Sequence, residues 1–301
     1  MGVASLAPAV ELSRPMTPSS NSAAIAPAAL AFDAIAPQFD QRFGAWASVA
    51  AQRRAVRSAL LSEFPPGGRI LELGGGTGED AAFLAAMGFQ VLLTDPSPAM
   101  VSLARNKLSA HKSSAEILAA EEMEEFAGRK LASGEALFDG AYSNFAPLNC
   151  VVDLNPVARG LARLLKPGAP AMLVVFGVFC PGEMVTELLR GRPRNILRRL
   201  RRGQSAARLA GRDFCVVYHR HADLLRAFAP QFAPWFTLEK RLGIGVAVPP
   251  SAAEPWITRH PRLLAAMESI DRVVSRPLAS FGDHVLYQFR RTHIAAPPFQ
   301  L

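Results

Sequence analysis

No run in this chain of 301 residues approaches the ~18–20 apolar residues that a membrane span needs, although half of its residues are hydrophobic. Cysteine is scarce. Cys150, Cys180 and Cys215 lie far apart, with no Cys-x-x-Cys pair and no Cys/His ligand spacing. That argues against a zinc site or a disulfide framework, so no metal is expected, and it fits a reducing cytoplasm. Lysine is also scarce, at five of the 33 basic residues, so the net charge of +8 is carried by arginine. A GC-rich genome can produce such a bias, and the total alone names no partner. The N-terminal stretch lacks the basic start and apolar run of a secretory signal. Pro8, Pro15, Pro18 and Pro27 break any helix there, so residues 1–30 read as a mobile tail. No internal repeat is present.

What is present is room for one domain of about 200–250 residues plus an elaboration. Phe39, Phe43, Trp46, Val49, Val56 and Leu60 recur at helical spacing, with Pro37 expected to break the helix. Residues 31–64 are therefore expected to be N-terminal lid helices, ended by Pro65-Pro66-Gly67-Gly68. Strand-like and helical segments then alternate. Strands are expected at 69–73, 90–94, 115–119, 138–143 and 171–176, and helices at 80–87, 98–109 and 154–165. This alternation predicts right-handed βαβ units, hence a doubly wound, mostly parallel seven-stranded α/β sheet with a helical or hairpin lid insertion. Residues 65–178 form its cofactor-binding core and 179–220 a basic lid insertion. Residues 221–301 complete the sheet, with strands at 236–243 and 284–290 and a helical insertion. The segments near 178–220 and 246–280 are expected to cover the sheet as a lid.

The central signal is Ile70-Leu71-Glu72-Leu73-Gly74-Gly75-Gly76-Thr77-Gly78. A buried strand ends in an acid, and Gly-x-Gly-x-Gly (Gly74, Gly76 and Gly78, with Gly75 between) opens a helix. Glycines there let the backbone approach a ligand closely and adopt positive φ. A nicotinamide fingerprint needs Gly-x-Gly-x-x-Gly, but Glu79 stands where the third glycine should fall, and its charge would repel a pyrophosphate. There is no Gly-Lys-Ser/Thr either. S-adenosylmethionine has no phosphate, carries a sulfonium and a free amine, and tolerates acids nearby. Glu72 suits its amino end. Asp95, 23 residues on at the end of the second strand, suits both ribose hydroxyls. Glu121–Glu125 follow the third strand, where an acid can read the adenine amine; the alternative is a solvated face.

These elements resemble the class I S-adenosylmethionine-dependent methyltransferases, in the small-molecule branch that includes the ubiquinone/menaquinone C-methyltransferases. The similarity spans about 32–176 and resumes more weakly to Arg290. Phe32–Asp40 is similar to the family's lid-helix opening, with Phe39 where tyrosine is common. Asp95-Pro96-Ser97-Pro98-Ala99-Met100 matches an Asp-x-Ser-x-x-Met pattern, which implies that Met100 packs on the adenine and that Pro96 is among the cofactor-binding residues. Glu121-Glu122-Met123 resembles a family Gly-Asp-Met, which implies Glu122 as the adenine reader with Met123 beside it. The cofactor implied is S-adenosylmethionine, and the activity methyl transfer to a small, lipidic or polyketide-like acceptor.

In-line methyl transfer asks for orientation, exclusion of water and, for some acceptors, a base. Ser143–Cys150 follows the fourth strand and should pass the methyl group. Asn144 and Asn149 are candidates to position an acceptor, and Phe145 to wall the sulfonium; the alternative is a capped turn. His219 and His221, with His284, are the candidate bases, against ordinary structural roles. Finally, Arg190–Arg212 holds nine arginines and no acid, with Ile196, Leu197 and Leu200 between them. Three readings stay open: solvated surface, an anionic membrane, carrier or substrate, or RNA. No RNA-module signature accompanies the block, so nucleic acid is the weaker choice. The protein is expected in the cytoplasm, with peripheral membrane contact among the options. A non-catalytic binder on the same fold and an RNA methyltransferase are the rival functions.

Overall fold

Pro27 opens the first described helix, so residues 27–30, expected within the N-terminal tail, are helical. In the computed structural model, residues 26–44, 46–231 and 234–295 are described; the expected tail at 1–25 lies outside them. Helix α1 (Pro27–Phe43) has proline at its first position, where the missing N–H costs nothing. It also runs through Pro37, contrary to the expected break there. The chain turns instead at Gly44, before α2 (Ala47–Glu63).

The core then alternates as expected: β1 (Arg69–Leu73), α3 (Glu79–Ala86), β2 (Gln90–Asp95), α4 (Pro98–Leu108), β3 (Ser114–Ile117), α5 (Met123–Ala132), β4 (Gly140–Ser143), α6 (Asn155–Leu164) and β5 (Pro170–Phe176). The fourth strand is shorter than read from the sequence, because Phe138 makes only an isolated bridge to Leu165. Helix α5 was not anticipated; Glu121–Glu125 masked its short apolar stripe, Met123, Phe126 and Ala127. Beyond β5 come α7 (Pro181–Leu189), the hairpin β6 (Gln204–Leu209) and β7 (Arg212–Val217), α8 (His221–Phe228), β8 (Phe236–Ile244), α9 (Pro261–Val274) and β9 (His284–Arg291).

The seven-stranded sheet has the order β3-β2-β1-β4-β5-β9-β8. Neighbours from β3 to β5 are parallel, while β9 is antiparallel to both β5 and β8. Nearly all residues of β1, β2, β4 and β5 are buried, as a sheet covered on both faces requires. One face packs against α2, α3 and α4 through Val56, Leu60, Leu84 and Val101. The other packs against α5, α6 and α8 through Phe126, Leu161 and Phe228. The chain reverses its winding between β1 and β4, the crevice where such sheets bind ligands.

The two insertions do different things. α1 and the hairpin β6–β7 share a cluster of Ile35, Ala36, Leu209, Phe214 and Val216 with Met100, at the start of α4. They cover the carboxyl edge near the loop after β2. α9 instead joins Ala51 of α2 through Leu264, in a cluster with Val248 and Ile257. The segment near 246–280 is therefore not a lid over the sheet but a buttress beside α2 and β8. α2 likewise belongs to the sheet's own core rather than to a lid.

Candidate functional site

The loop after β1 packs closely against its neighbours because its first residues are glycines. Gly74 has φ +64°, and a Cβ there would lie 2.3 Å from Pro147 Cβ; one on Gly75 would lie 2.4 Å from Leu93 and 2.7 Å from Glu72 Cδ. Both are overlaps that no side chain tolerates. Asp95, at the end of β2, orders this loop. Its Oδ2 accepts from the Gly76 N–H and its Oδ1 from the Ser97 N–H, both at 2.9 Å. Each oxygen keeps a second lone pair. Burial raises the Asp95 pKa, with those two hydrogen bonds opposing.

Glu72 is nearly inaccessible to water, and its Oε2 has no hydrogen-bond partner. Burial, assisted by the charge of Asp80, pushes its pKa to about 8. A buried carboxyl left this way is costly unless something cationic completes it. The Asp80 carboxylate sits in the first turn of α3, where Arg57 Nε donates at 2.7 Å and the Asn144 amide at 2.8 Å. Arg53 of α2 lies 3.8 Å from the same carboxylate and stacks its guanidinium over the Phe145 ring at 5.0 Å. Arg53, Arg57 and Asp80 were not anticipated. Two arginines one helical turn apart are too common a pattern to mark a site.

α1 is clipped over this edge by two acids. Ser97 Oγ–H and the Ala99 N–H both donate to Asp33 Oδ1 at 2.8 Å. Thr77 Oγ1–H donates to Asp40 at 2.6 Å, and Lys107 pairs with Asp40 at 2.7 Å. Phe39 faces the Phe43 ring at 4.8 Å inside the lid's aromatic cluster. Pro96 stays half-buried in the loop after β2, and Met100 is buried beneath α1.

Beyond β4 the backbone is strained. Phe145 (φ 57°) and Ala146 (φ 63°) are consecutive non-glycine residues in the left-handed region, a conformation costing about 1 kcal/mol or more at each. Asn144 Oδ1 accepts from the Phe145 N–H at 2.8 Å and holds the turn. Strain of this kind persists where surrounding structure over-determines it, commonly at binding sites.

Other expected residues are engaged elsewhere. Glu122 folds back to accept from the Ala119 N–H at 3.2 Å, capping its own turn. It is Glu121 whose charge, with that of Asp95, reaches the Cys150 thiol, itself pushed to about 12 chiefly by burial. Partial desolvation also raises Glu121. The side chain of Met123 is in the core against Gly160, not at the edge. Asn149 is fully buried, donating to Val217 O and accepting from the Phe176 N–H at 2.9 Å, so its amide braces the lid hairpin against β5. His219 Nε2 lies 3.1 Å from Leu148 O and 2.9 Å from Val151 O, so that nitrogen carries the proton. Burial lowers its pKa. His221 stacks on Tyr287, which pairs with Leu173 in mid-sheet, away from the carboxyl edge.

The histidine at the edge is His284. β9 is antiparallel to β5, so its first residue pairs with Phe176, the last of β5. The imidazole stacks on Phe176 at 5.0 Å and meets the Phe145 ring edge-on at 5.8 Å. Its Nδ1 is 3.5 Å from Asp283 Oδ2, without a hydrogen bond. Burial lowers the His284 pKa despite Asp283.

Behind it, Arg199 is buried between two acids. It pairs with Glu183 and with Asp283 at 2.7 Å, and donates to the carbonyls of Gly177 and Asp283. Arg198 also pairs with Glu183. Two of the nine arginines thus find their counter-ions inside the protein, which the acid-free run of sequence concealed. Cys180, Glu183 and Asp283 lie close enough to share an ion, but the guanidiniums already neutralise both carboxylates.

A methyltransferase domain family matches residues 70–168, from β1 to just past α6. Among solved structures, the CcbJ methyltransferase from Streptomyces caelestis is 17% identical. The match covers 87% of this chain and 98% of that one, with a TM-score of 0.54. An S-adenosylmethionine-dependent methyltransferase from Listeria monocytogenes is 15% identical over 81% of this chain and 99% of its own, with a TM-score of 0.50. Identities this low speak for the fold alone. The biotin biosynthesis bifunctional protein of Cellvibrio japonicus is 29% identical over 154 residues, half of this chain and 28% of that protein. The chain therefore spans well under a third of this relative's length. With the glycine loop, the acids ending β1 and β2 and the sheet order, these matches identify residues 70–168 as a methyltransferase domain set in the fold of the class I, S-adenosylmethionine-dependent methyltransferases.

Proposed function

We propose that the chain transfers a methyl group from S-adenosylmethionine to a small-molecule acceptor at the carboxyl edge of β1, β4 and β5. The observation that carries this is the buried Glu72 carboxyl, whose Oε2 has no hydrogen-bond partner, beside the glycine loop. A cationic amine completes it, whereas a pyrophosphate would meet Glu72, Asp80 and Asp95 together. When bound, the cofactor supplies an electrophilic methyl carbon on its sulfonium. Glu72 holds the amino end, Asp95 accepts from the ribose hydroxyls, and Glu121, rather than Glu122, faces the base. Asn144 and Phe145 shape the floor where the acceptor approaches.

His284 is the residue placed to take a proton from an acceptor hydroxyl or amine. It is neutral near pH 7 because burial lowers its pKa, and Asp283 stabilises the imidazolium that forms. We place His284 there rather than His219 or His221, since His219 Nε2 is committed to two backbone carbonyls and His221 to stacking on Tyr287.

Two measurements test the cofactor reading. Calorimetry should show micromolar binding of S-adenosylmethionine or its demethylated product and negligible binding of NAD. Because Glu72 is protonated in the free protein near pH 7, binding of the cationic cofactor should also release close to one proton, seen as a dependence of the heat on buffer ionisation. Tighter NAD binding, or no proton release, would remove the basis for the reading. Separately, Asp95→Ala should weaken cofactor binding by roughly 2–4 kcal/mol, since charge-assisted bonds to the ribose and the order of the Gly76 turn go together. A folded Asp95→Ala protein with unchanged affinity would contradict this assignment.

A further inference from the structure

Helix α7 is built inside out. Its buried residues are Glu183 and Glu187, which turn inward to Arg198, Arg199 and Asn195. Val185, Leu188 and Leu189, spaced i, i+3 and i+4 on one face, are 56%, 60% and 83% exposed. Aliphatic side chains displayed on a helix whose acids are buried are the reverse of an ordinary surface helix. The next turns continue the pattern, with Leu197 and Leu200 exposed. Around them stand Arg192, Arg194, Arg201 and Arg202, all exposed and, among the described residues, without an ion pair.

We infer that this face of α7 and the turns after it docks on an anionic lipid surface, with the aliphatic stripe entering the headgroup boundary and the four arginines meeting lipid phosphates. Charge and apolarity select that occupant together. A second copy joined by a two-fold axis would set arginine against arginine. Single-stranded RNA binds through aromatic faces on which bases stack, and the stripe is aliphatic. An anionic bilayer satisfies both halves at once. α7 follows β5 directly, one loop beyond Phe176, so docking there would bring the acceptor edge next to the bilayer. That last step rests on the proposed methyl-transfer site; the docking itself does not.

The test is co-sedimentation with vesicles of phosphatidylcholine alone and of phosphatidylcholine with phosphatidylglycerol, at low and high salt. Three proteins are compared: the parent, Val185→Ser/Leu188→Ser/Leu189→Ser, and Arg192→Ser/Arg194→Ser/Arg201→Ser/Arg202→Ser. Arg198 and Arg199 stay intact because the fold uses them. The parent should bind only the anionic vesicles and release them at high salt, and each variant should bind about tenfold more weakly or worse. Equal binding to both vesicle types, or no loss in either variant, would overturn the inference. So would loss in the arginine variant alone together with equally tight binding of polyuridylate, which would mark a general polyanion surface. Cofactor calorimetry on all three proteins should be unchanged, so failure of docking and failure of the cofactor site are read separately.

Discussion

Glu72→Gln is expected to stabilise the ligand-free protein at neutral pH while abolishing cofactor binding. Below about pH 4.5 the carboxyl is protonated in both folded and unfolded chains and costs nothing. As pH rises, the unfolded carboxyl ionises at its ordinary value, while the buried one resists until about pH 8. Stability is therefore lost progressively across that window. At pH 7 the accumulated loss is about 3 kcal/mol, which corresponds to a melting shift of several degrees for a chain of this size. Glutamine has the same shape and no charge, so it removes this cost. It also removes the carboxylate proposed to hold the cofactor's cationic amine. Thermal melts at about pH 5 and about pH 8, with calorimetry alongside, check both halves. The gap between variant and parent should widen with pH. A variant that is less stable than the parent at the higher pH, or that binds cofactor normally, would show that Glu72 is a structural acid.

The second large effect concerns Arg199. Replacing it with methionine leaves the Asp283 carboxylate buried with the Gln52 amide at 3.2 Å and His284 Nδ1 at 3.5 Å, and leaves Glu183 with Arg198. It also removes donors from the carbonyls of Gly177 and Asp283. Breaking one side of a buried ion pair costs about 3–5 kcal/mol, because the partner charge stays buried. Denaturant titration should show the unfolding free energy of Arg199→Met lower by that amount, with the midpoint shifted down in proportion. Adding Glu183→Gln and Asp283→Asn should restore much of it, since the stranded charges are gone. A surface arginine would give a loss near zero, and so would the reading of the arginine block as nine equivalent charges. The triple variant also isolates His284, whose neighbouring anion is then neutral while its stacking on Phe176 remains.

Much of the core was legible because its signals are local. A buried strand, a glycine turn and an amphipathic helix each announce themselves within about ten residues, so the strands around Leu71, Leu93 and Val174 were recognisable with small errors at their ends. The spacing from Glu72 to Asp95 is likewise one strand, one loop and one helix, which is why two acids far apart in sequence were expected at one edge. Even so, local patterns misled where neighbours overrule them. Pro37 reads as a break, yet α1 continues through it, held by Asp33 and Asp40 against loops more than 35 residues away. The acidic run at Glu121–Glu125 hid the start of α5. The strand β6 was hidden within the arginine block, because alternation through Ser205, Ala207 and Leu209 is too small in side-chain volume to stand out.

The site divides in the same way. Sequence by itself determined the layered α/β fold, the glycine loop and the acids that end two parallel strands, since each depends on residues adjacent in the chain. Only tertiary structure decided which histidine stands at the carboxyl edge of β5. His219 and His284 look alike in sequence, but the antiparallel entry of β9 sets the first residue of that strand against the last of β5, while His219 is spent on two carbonyls. It likewise decided which arginines are free. Glu183 and Asp283 reach Arg199 across 16 and 84 residues of chain, and no window of sequence registers a counter-ion that distant. Charge pairing and proton affinity depend on what burial brings together, and burial is a property of the folded chain as a whole.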